Sequence, residues 1–264
     1  DIPGIQDFVY TITSRGAAKG LRGRSFFLQL LVETLMRATL RELGLPQTSV
    51  VYCAGGNFKL LAPMSAKALL LGLKREINAR LLSLFKGELH LAMAWVDLKL
   101  ADALRDEGFA AANDDLAAAL EQAKRSAFAE LLGGSSLASE YATLFAAQGI
   151  GGTQFCDVCH IDLPTGETRC AQCSGFEELA SVLASLEPGD EMQVFETKKP
   201  LGQIPFSPLP ATGRPTWWQV TLSFGYNYGF GASSKGMCAQ RLRLNSTEFL
   251  PASPTPDTCY GFRF

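Results

Sequence analysis

Two Cys-x2-Cys pairs, Cys156 with Cys159 and Cys170 with Cys173, stand ten residues apart with Pro164-Thr165-Gly166 between them. Few patterns restrict a chain so tightly. Four thiolates satisfy one tetrahedral Zn²⁺ only if a turn carries the second pair back onto the first, and a two-residue spacer lets backbone amides fold toward the sulfurs. The spacing predicts a small loop-rich zinc module, followed by a helix on which Phe176, Leu179, Leu183 and Leu186 recur at helical spacing. With every ligand a cysteine, no coordination position is left for water, so the ion is expected to be structural. A pair of disulfides is the competing reading, and it disagrees with a cytosolic chain. His160, beside Cys159, reads as a surface or supporting residue, and Cys53, Cys238 and Cys259 read most simply as buried thiols.

The cytosolic expectation rests on composition. Among 264 residues, 24 Lys and Arg oppose 26 Asp and Glu for a net charge of −2, and 47% are hydrophobic. This excludes wholesale disorder and a histone-like polycation. No apolar run reaches the length of about 18 residues that a membrane span needs, and Asp1-Ile2-Pro3-Gly4 lacks the layout of a signal peptide. A cytoplasmic location without membrane contact is expected. The opening residues read as the end of a strand, so the sequence is expected to be cut from something longer.

Residues 5–12 are expected to form a short helix. Residues 14–24 follow, with three glycines, four cations (Arg15, Lys19, Arg22, Arg24) and no carboxylate, and predict a flexible positive loop. Phe27, Leu31, Leu35 and Ala38 then mark a long helix stopped by Gly44 and Pro46. Residues 50–54 and 58–61 are apolar runs joined by Gly55-Gly56, a hairpin signal. Ser65 is the expected cap of a helix with Leu69, Leu73, Ile77, Leu81 and Leu84 on one face, ended by Gly87. Leu89, Leu91, Met93 and Trp95 alternate as in a strand. With a strand before Asp1, the order becomes βαββαβ, the ferredoxin-like arrangement that nucleotide-polymerase palms share. A further helix is expected with Asn113 as its cap and Gly133-Gly134 as its end.

The fold class expected is therefore α+β: a ferredoxin-like palm with its first strand truncated over 1–148, the four-cysteine zinc module with its helix over 149–190, and a β-rich tail over 191–264. In the tail, residues 217–224 and 242–244 are strand-like runs.

Palm chemistry needs carboxylates at the end of the first strand and at the tip of the central hairpin, where two Mg²⁺ ions bridge nucleotide phosphates. Asp1 stands at the first place, but Asn57 and Phe58 follow Gly55-Gly56 at the second, and neither is acidic. This palm is expected to be chemically silent. Its glycines still admit a nucleotide close to the backbone, and Asn57 offers hydrogen bonds to a base or sugar. Arg22 and Arg24 suit triphosphate or RNA phosphates, weighed evenly against a solvated loop bridging to a neighbouring domain. Asp97 reads as a strand terminator, His90 as structural, and Trp217, Trp218, Tyr226 and Tyr228 as sheet packing or an interface rather than a base-stacking platform. With two histidines and no nucleophile pattern beside either, a hydrolase triad has little support.

Asp1-Ile2-x-Gly4-Ile5-Gln6-x-Phe8, the run from Arg22 to Leu30, Gly55-Gly56-Asn57-Phe58 and the paired Cys-x2-Cys together resemble the large subunit of type III CRISPR effector complexes, nearest subtype III-A. The resemblance covers residues 1 to about 175, and the tail through Phe264 looks like that family's approach to a second palm. It implies a multidomain parent with a nuclease domain that cuts single-stranded DNA and a second palm whose Gly-Gly-Asp-Asp makes cyclic oligoadenylates from ATP when target RNA is bound. No Gly-Gly-Asp-Asp occurs in these residues. Carried onto this chain, the resemblance leaves no catalytic residue. It implies an ATP half-site at Gly55, Gly56, Asn57, Arg22, Arg24 and Asp1, with Mg²⁺ and ATP shared with the second palm, and a structural Zn²⁺ on Cys156, Cys159, Cys170 and Cys173. The implied partners are the other subunits of the complex, with guide RNA and target RNA reached through it. The alternative is a scaffold that holds guide-RNA-bearing subunits and binds no nucleotide. A stand-alone diguanylate-cyclase-like enzyme is disfavoured, since it needs acids where Asn57 and Phe58 sit.

Overall fold

The computed structural model describes residues 1–11, 17–132, 154–187, 190–206, 213–232 and 238–243. One helix organises them. In α2 (Ala17–Leu43) every residue from Leu30 to Leu40 is buried, which is the expected state of a helix covered by other elements on all sides. Its polar residues are accordingly paired. Arg37 and Glu33 form an ion pair at 2.7 Å, Thr34 shares a hydrogen bond of 2.9 Å with Tyr228, and the Thr39 hydroxyl donates to the Leu35 carbonyl.

Against α2 pack α1 (Ile5–Tyr10), α3 (Lys67–Phe85) and the hairpin of β1 (Val50–Ala54) and β2 (Asn57–Leu60). The hairpin forms as expected, with Ala54 opposite Asn57, a register shift between Val50 and Tyr52, and the turn made by Gly55 at φ 62° and Gly56 at φ 92°. After α4 (Leu100–Ala103) and α5 (Asp106–Lys124), two-residue strands β3 (Gln154–Phe155) and β4 (Asp162–Leu163) frame the first cysteine pair, and α6 (Ala171–Ala184) carries the second. The tail forms an antiparallel sheet of order β6-β5-β7 from β5 (Glu191–Glu196), β6 (Tyr226–Gly231) and β7 (Gln240–Arg243), with α7 (Trp217–Ser223) beside it.

The class is thus α+β with small sheets. Several local expectations are corrected. Residues 17–24 are the first two turns of α2, not loop, and Arg15 lies outside the described residues. Residues 217–223 are helical, because Thr216 and Gln219 form a capping box that outweighs the β propensity of the aromatic run. α5 starts at Asp106, whose charge with that of Glu107 suits a helix N-terminus, so Asn113 is interior. Ser65 lies in a 3-10 turn and α3 has no side-chain cap; Leu69 is exposed while Leu73, Ile77, Leu81 and Leu84 are buried.

Residues 89–98 are extended without a strand ladder among the described residues. Asn78 holds this segment from α3 by acting as a surrogate strand: its side-chain amide donates to the Leu91 carbonyl at 3.0 Å and accepts from the Leu91 amide at 2.7 Å. On the other side, Ala92 exchanges hydrogen bonds with the main chain of Asp1, at 2.9 and 3.0 Å, and the Ile2 amide donates to the Gly56 carbonyl at 3.0 Å. Asp1 and Ile2 therefore lie between the hairpin and the extended segment.

The core is continuous across the expected domain limits. Phe8 and Phe27 meet both Phe85 and, on α6, Phe176, with the Phe27 and Phe176 ring centroids 5.1 Å apart, and Val194, Val220 and Tyr226 belong to the same cluster. The expected boundary at 149 falls outside the described residues, as do Gly133, Gly134, Leu244 and Cys259. Gly23 permits the α2–α6 crossing, since a Cβ there would lie 1.9 Å from the Phe176 carbonyl oxygen. Gly23→Ala should lower stability by about 1–3 kcal/mol through backbone displacement. In urea melts its midpoint should fall clearly, while exposed Gln29→Ala stays within about 0.5 kcal/mol of the parent; equal midpoints would refute the crossing.

Candidate functional site

The cysteine cluster is assembled by two different local devices. In the first pair, the Cys156 amide donates to the Ile161 carbonyl at 2.8 Å and the His160 amide to the Cys156 carbonyl at 2.9 Å, folding a tight knuckle in which His160 takes a left-handed φ of 57°. Gly166, at φ 98°, turns the chain after β4. In the second pair, Cys170 caps α6, its sulfur accepting from the Cys173 amide at 3.4 Å. The amide of Cys170 in turn donates to the Cys156 sulfur at 3.5 Å.

The four sulfurs all lie within 4.8 Å of one another, and Cys159 and Cys170 are 3.7 Å apart. Zn–S bonds of about 2.3 Å place the sulfurs of a regular tetrahedron about 3.8 Å apart, so the donor set fits a tetrahedral, thiolate-preferring ion. Crowding four sulfurs spreads their proton affinities. S–H donors from Cys170 and Cys173 hold the Cys159 thiol far below its ordinary range, and hydrogen bonding with Cys159 pushes Cys170 and Cys173 up. A cation at the centre removes that conflict by accepting all four as thiolates. His160 contributes no atom to the cluster.

The second candidate feature is a cavity of about 360 Å³ between β2, the extended segment and α5. Asp1, Asn57, Lys59, Asp97 and Asn113 supply polar groups to a largely apolar wall that includes Trp95. Four of these groups already have partners. Asp1 accepts an ion pair from Lys124 at 2.8 Å, Lys59 donates to Asn113 at 2.6 Å, and Asp97 stands 3.5 Å from Lys67.

Of the residues named for nucleotide contact, Asp1 and Asn57 share this cavity. Gly55 and Gly56 form the turn leading into it; Gly56 is favoured by its φ of 92°, and a Cβ there would displace the end of the Ile5 side chain. Arg22 is exposed on α2. Arg24 is 3% exposed, and its guanidinium is committed to the Phe8 carbonyl at 2.7 Å and the Cys173 sulfur at 3.3 Å. It is not free for a phosphate. Sequence reasoning does not find Lys59 and Lys124 as site residues, and it places Asn113 only as a helix cap. The period-two relation of Lys59 to Asn57 along β2 is an available signal, whereas nothing local marks Lys124 as a partner of Asp1.

A family model described as the Csm1 subunit, domain B, matches residues 1–141. The single-strand-specific deoxyribonuclease Cas10/Csm1 of the subtype III-A CRISPR system from Mycobacterium tuberculosis is 33% identical over 197 residues, covering 70% of this chain and 24% of that protein. Its counterpart from Thermococcus onnurineus is 30% identical over 252 residues, covering 87% and 30%. The chain thus spans less than a third of the length of the curated relatives it matches. Among solved structures, a Csm1–Csm4 cassette in complex with one ATP is 31% identical over 52% of this chain and 19% of that one, with a TM-score of 0.46.

The cluster geometry makes a direct prediction. The full chain purified without chelators should hold about one Zn²⁺ per chain by elemental analysis, and Cys156→Ala should reduce this to background and lower the melting temperature. Equal metal content in both proteins would show that the ion sits elsewhere.

Proposed function

The chain belongs to the Csm1 subunit domain B family, whose model spans its first 141 residues, and we propose that it is the first palm, zinc module and linker of a subtype III-A large subunit. In this reading Asp1 and Ile2 are the end of the palm's central strand. Their main chain supports that reading, since Asp1 exchanges hydrogen bonds with Ala92 on one side and the Ile2 amide donates to the Gly56 carbonyl on the other. The βαββαβ order follows, with α2 and α3 as the two palm helices.

The function proposed for this palm is a non-catalytic ATP half-site. One observation carries it: the Gly55-Gly56 turn delivers Asn57, an uncharged amide, to the cavity that Asp1 also lines. A carboxylate pair is what a palm needs to seat two Mg²⁺ ions. Here Asn57 and Phe58 occupy the hairpin positions, and the Asp1 carboxylate is neutralised by Lys124. Asn57 can instead donate to and accept from an adenine edge or a ribose, and the tight turn admits it closely. Mg²⁺ and the reacting phosphates then belong to the second palm. In that arrangement the parent protein makes cyclic oligoadenylates from ATP when target RNA binds, and cuts single-stranded DNA in its separate nuclease domain. A Csm4-like subunit and the other members of the complex are its partners, with guide RNA and target RNA reached through them. Among the described residues no helix is long and apolar enough to cross a membrane, which accords with a cytoplasmic complex. Zn²⁺ on the four cysteines holds the module without entering the chemistry.

The test uses the full-length protein in its complex. Asn57→Ala should weaken ATP binding about 3- to 10-fold, the effect of one or two lost hydrogen bonds. Gly55→Val forces a β-branched residue into the left-handed region and should weaken it further. Both variants should keep wild-type zinc content and single-strand deoxyribonuclease activity. Unchanged ATP affinity in both would reject the half-site and leave the scaffold reading, in which this palm only holds RNA-bearing subunits.

A further inference from the structure

The arginine that the sequence offers to a phosphate is placed elsewhere by the fold. Arg24 packs against two rings that also touch each other, 5.2 Å from the centroid of Phe8 and 5.3 Å from that of Phe176. One nitrogen donates to the Phe8 carbonyl and another to the Cys173 sulfur. Among the described residues no carboxylate pairs with it. Removing a guanidinium from water is costly unless an anion and good hydrogen bonds replace the water. Among the described residues, the group beside it that can carry negative charge is the cysteine cluster, through the Cys173 sulfur.

Charge balance on the loaded site points the same way. Four thiolates on a divalent cation carry a net charge of −2, and N–H···S bonds from a cation draw off part of it. Cys173 and Phe176 are three residues apart on α6, hence on the same face, and that face meets α2 where Gly23 lets the backbones touch. The sulfur, the phenyl ring and the close backbone contact therefore bear on adjacent residues of α2.

We infer that Arg24 is a positioning residue through which the cysteine-bound metal and helix α2 of the palm are energetically linked, so that the metal site helps to seat the palm's central helix and not only its own module. By reciprocity, whatever fixes Arg24 against Phe8 and Phe176 also tightens metal binding. The inference rests on the reading that the cluster holds a metal ion, and it reassigns Arg24 from nucleotide contact to this linkage.

The experiment measures zinc release from the full-length protein to a chromogenic chelator. Arg24→Met keeps the length of the side chain and removes its charge, and should release zinc about 10-fold faster or more, the usual consequence of losing a partner of a metal ligand. Arg24→Lys should fall between Arg24→Met and wild type, and Lys19→Met, which removes an exposed cation from the same helix, should match wild type. Release from Arg24→Met within twofold of wild type would overturn the linkage while leaving the metal site standing; wild-type protein without zinc would remove both. Should Arg24→Met fail to fold, hydrogen exchange of the wild type before and after chelation decides the matter. Linkage predicts that residues 21–31 lose protection together with residues 154–173, and unchanged protection of 21–31 contradicts it.

Discussion

A guanidinium packed against two phenyl rings, out of reach of water and of any carboxylate among the described residues, imposes a condition on everything around it. Arg24 can stay there only if the Phe8 carbonyl and the Cys173 sulfur hold their places. The first fixes α1 against α2. The second fixes α6, and through α6 the knuckle that brings Cys156 and Cys159 to Cys170 and Cys173. The aromatic cluster of Phe8, Phe27, Phe85 and Phe176 then closes over the same junction, and burial of each ring adds about 1.5–3 kcal/mol. One crossing of two helices thus joins a hydrophobic core to a cluster of thiols.

The same crossing explains why α2 is buried on every side between Leu30 and Leu40. α1, the hairpin and α3 leave part of its surface for others, and α6 and α7 take that part. Hydrogen bonds run the tail onto it as well. Arg41 donates to the Phe224 carbonyl at 3.2 Å, Glu42 accepts from the Leu201 amide at 2.8 Å, and the Thr34 hydroxyl meets Tyr228. On α3, buried Arg80 plays the corresponding part, donating to the carbonyls of Ser223, Leu201 and Ile204. The described residues beyond 190 are therefore packed on α2 and α3.

Much of this is legible in the sequence because its causes are local. The Cys-x2-Cys spacing announces a converging ligand set, Gly55-Gly56 announces a hairpin, and the recurrence of Leu73, Ile77 and Leu81 announces a helix face; each outcome depends on residues within one or two turns. What stays hidden depends on tertiary partners. Gly20 and Gly23 suggest a loop until α6 is seen to need a residue without a side chain at its crossing with α2. Arg24 reads as a phosphate ligand until Phe8, 16 residues earlier, and Cys173, 149 residues later, are brought to it. Residues 217–223 resemble a strand by their aromatic pattern, and the shorter Thr216-x-x-Gln219 signal decides for the helix. Residues 89–98 alternate like a strand and are extended, yet they find the Asn78 side chain rather than a ladder along one flank.

The candidate nucleotide site divides along the same line. Its chemistry, an amide where palms carry acids, is a property of residue identity and is visible in Asn57 alone. Its membership is not, because Asp1, Lys59, Asn113 and Lys124 meet only through the fold. The claim on which the functional account stands is that adenine nucleotide reaches the cavity lined by Asp1 and Asn57. Photocrosslinking the full-length protein with 8-azido-ATP, followed by peptide mapping, addresses it most directly. The account predicts labelled peptides containing residues 55–61, competed away by ATP; labelling confined to residues outside 1–148 would contradict it.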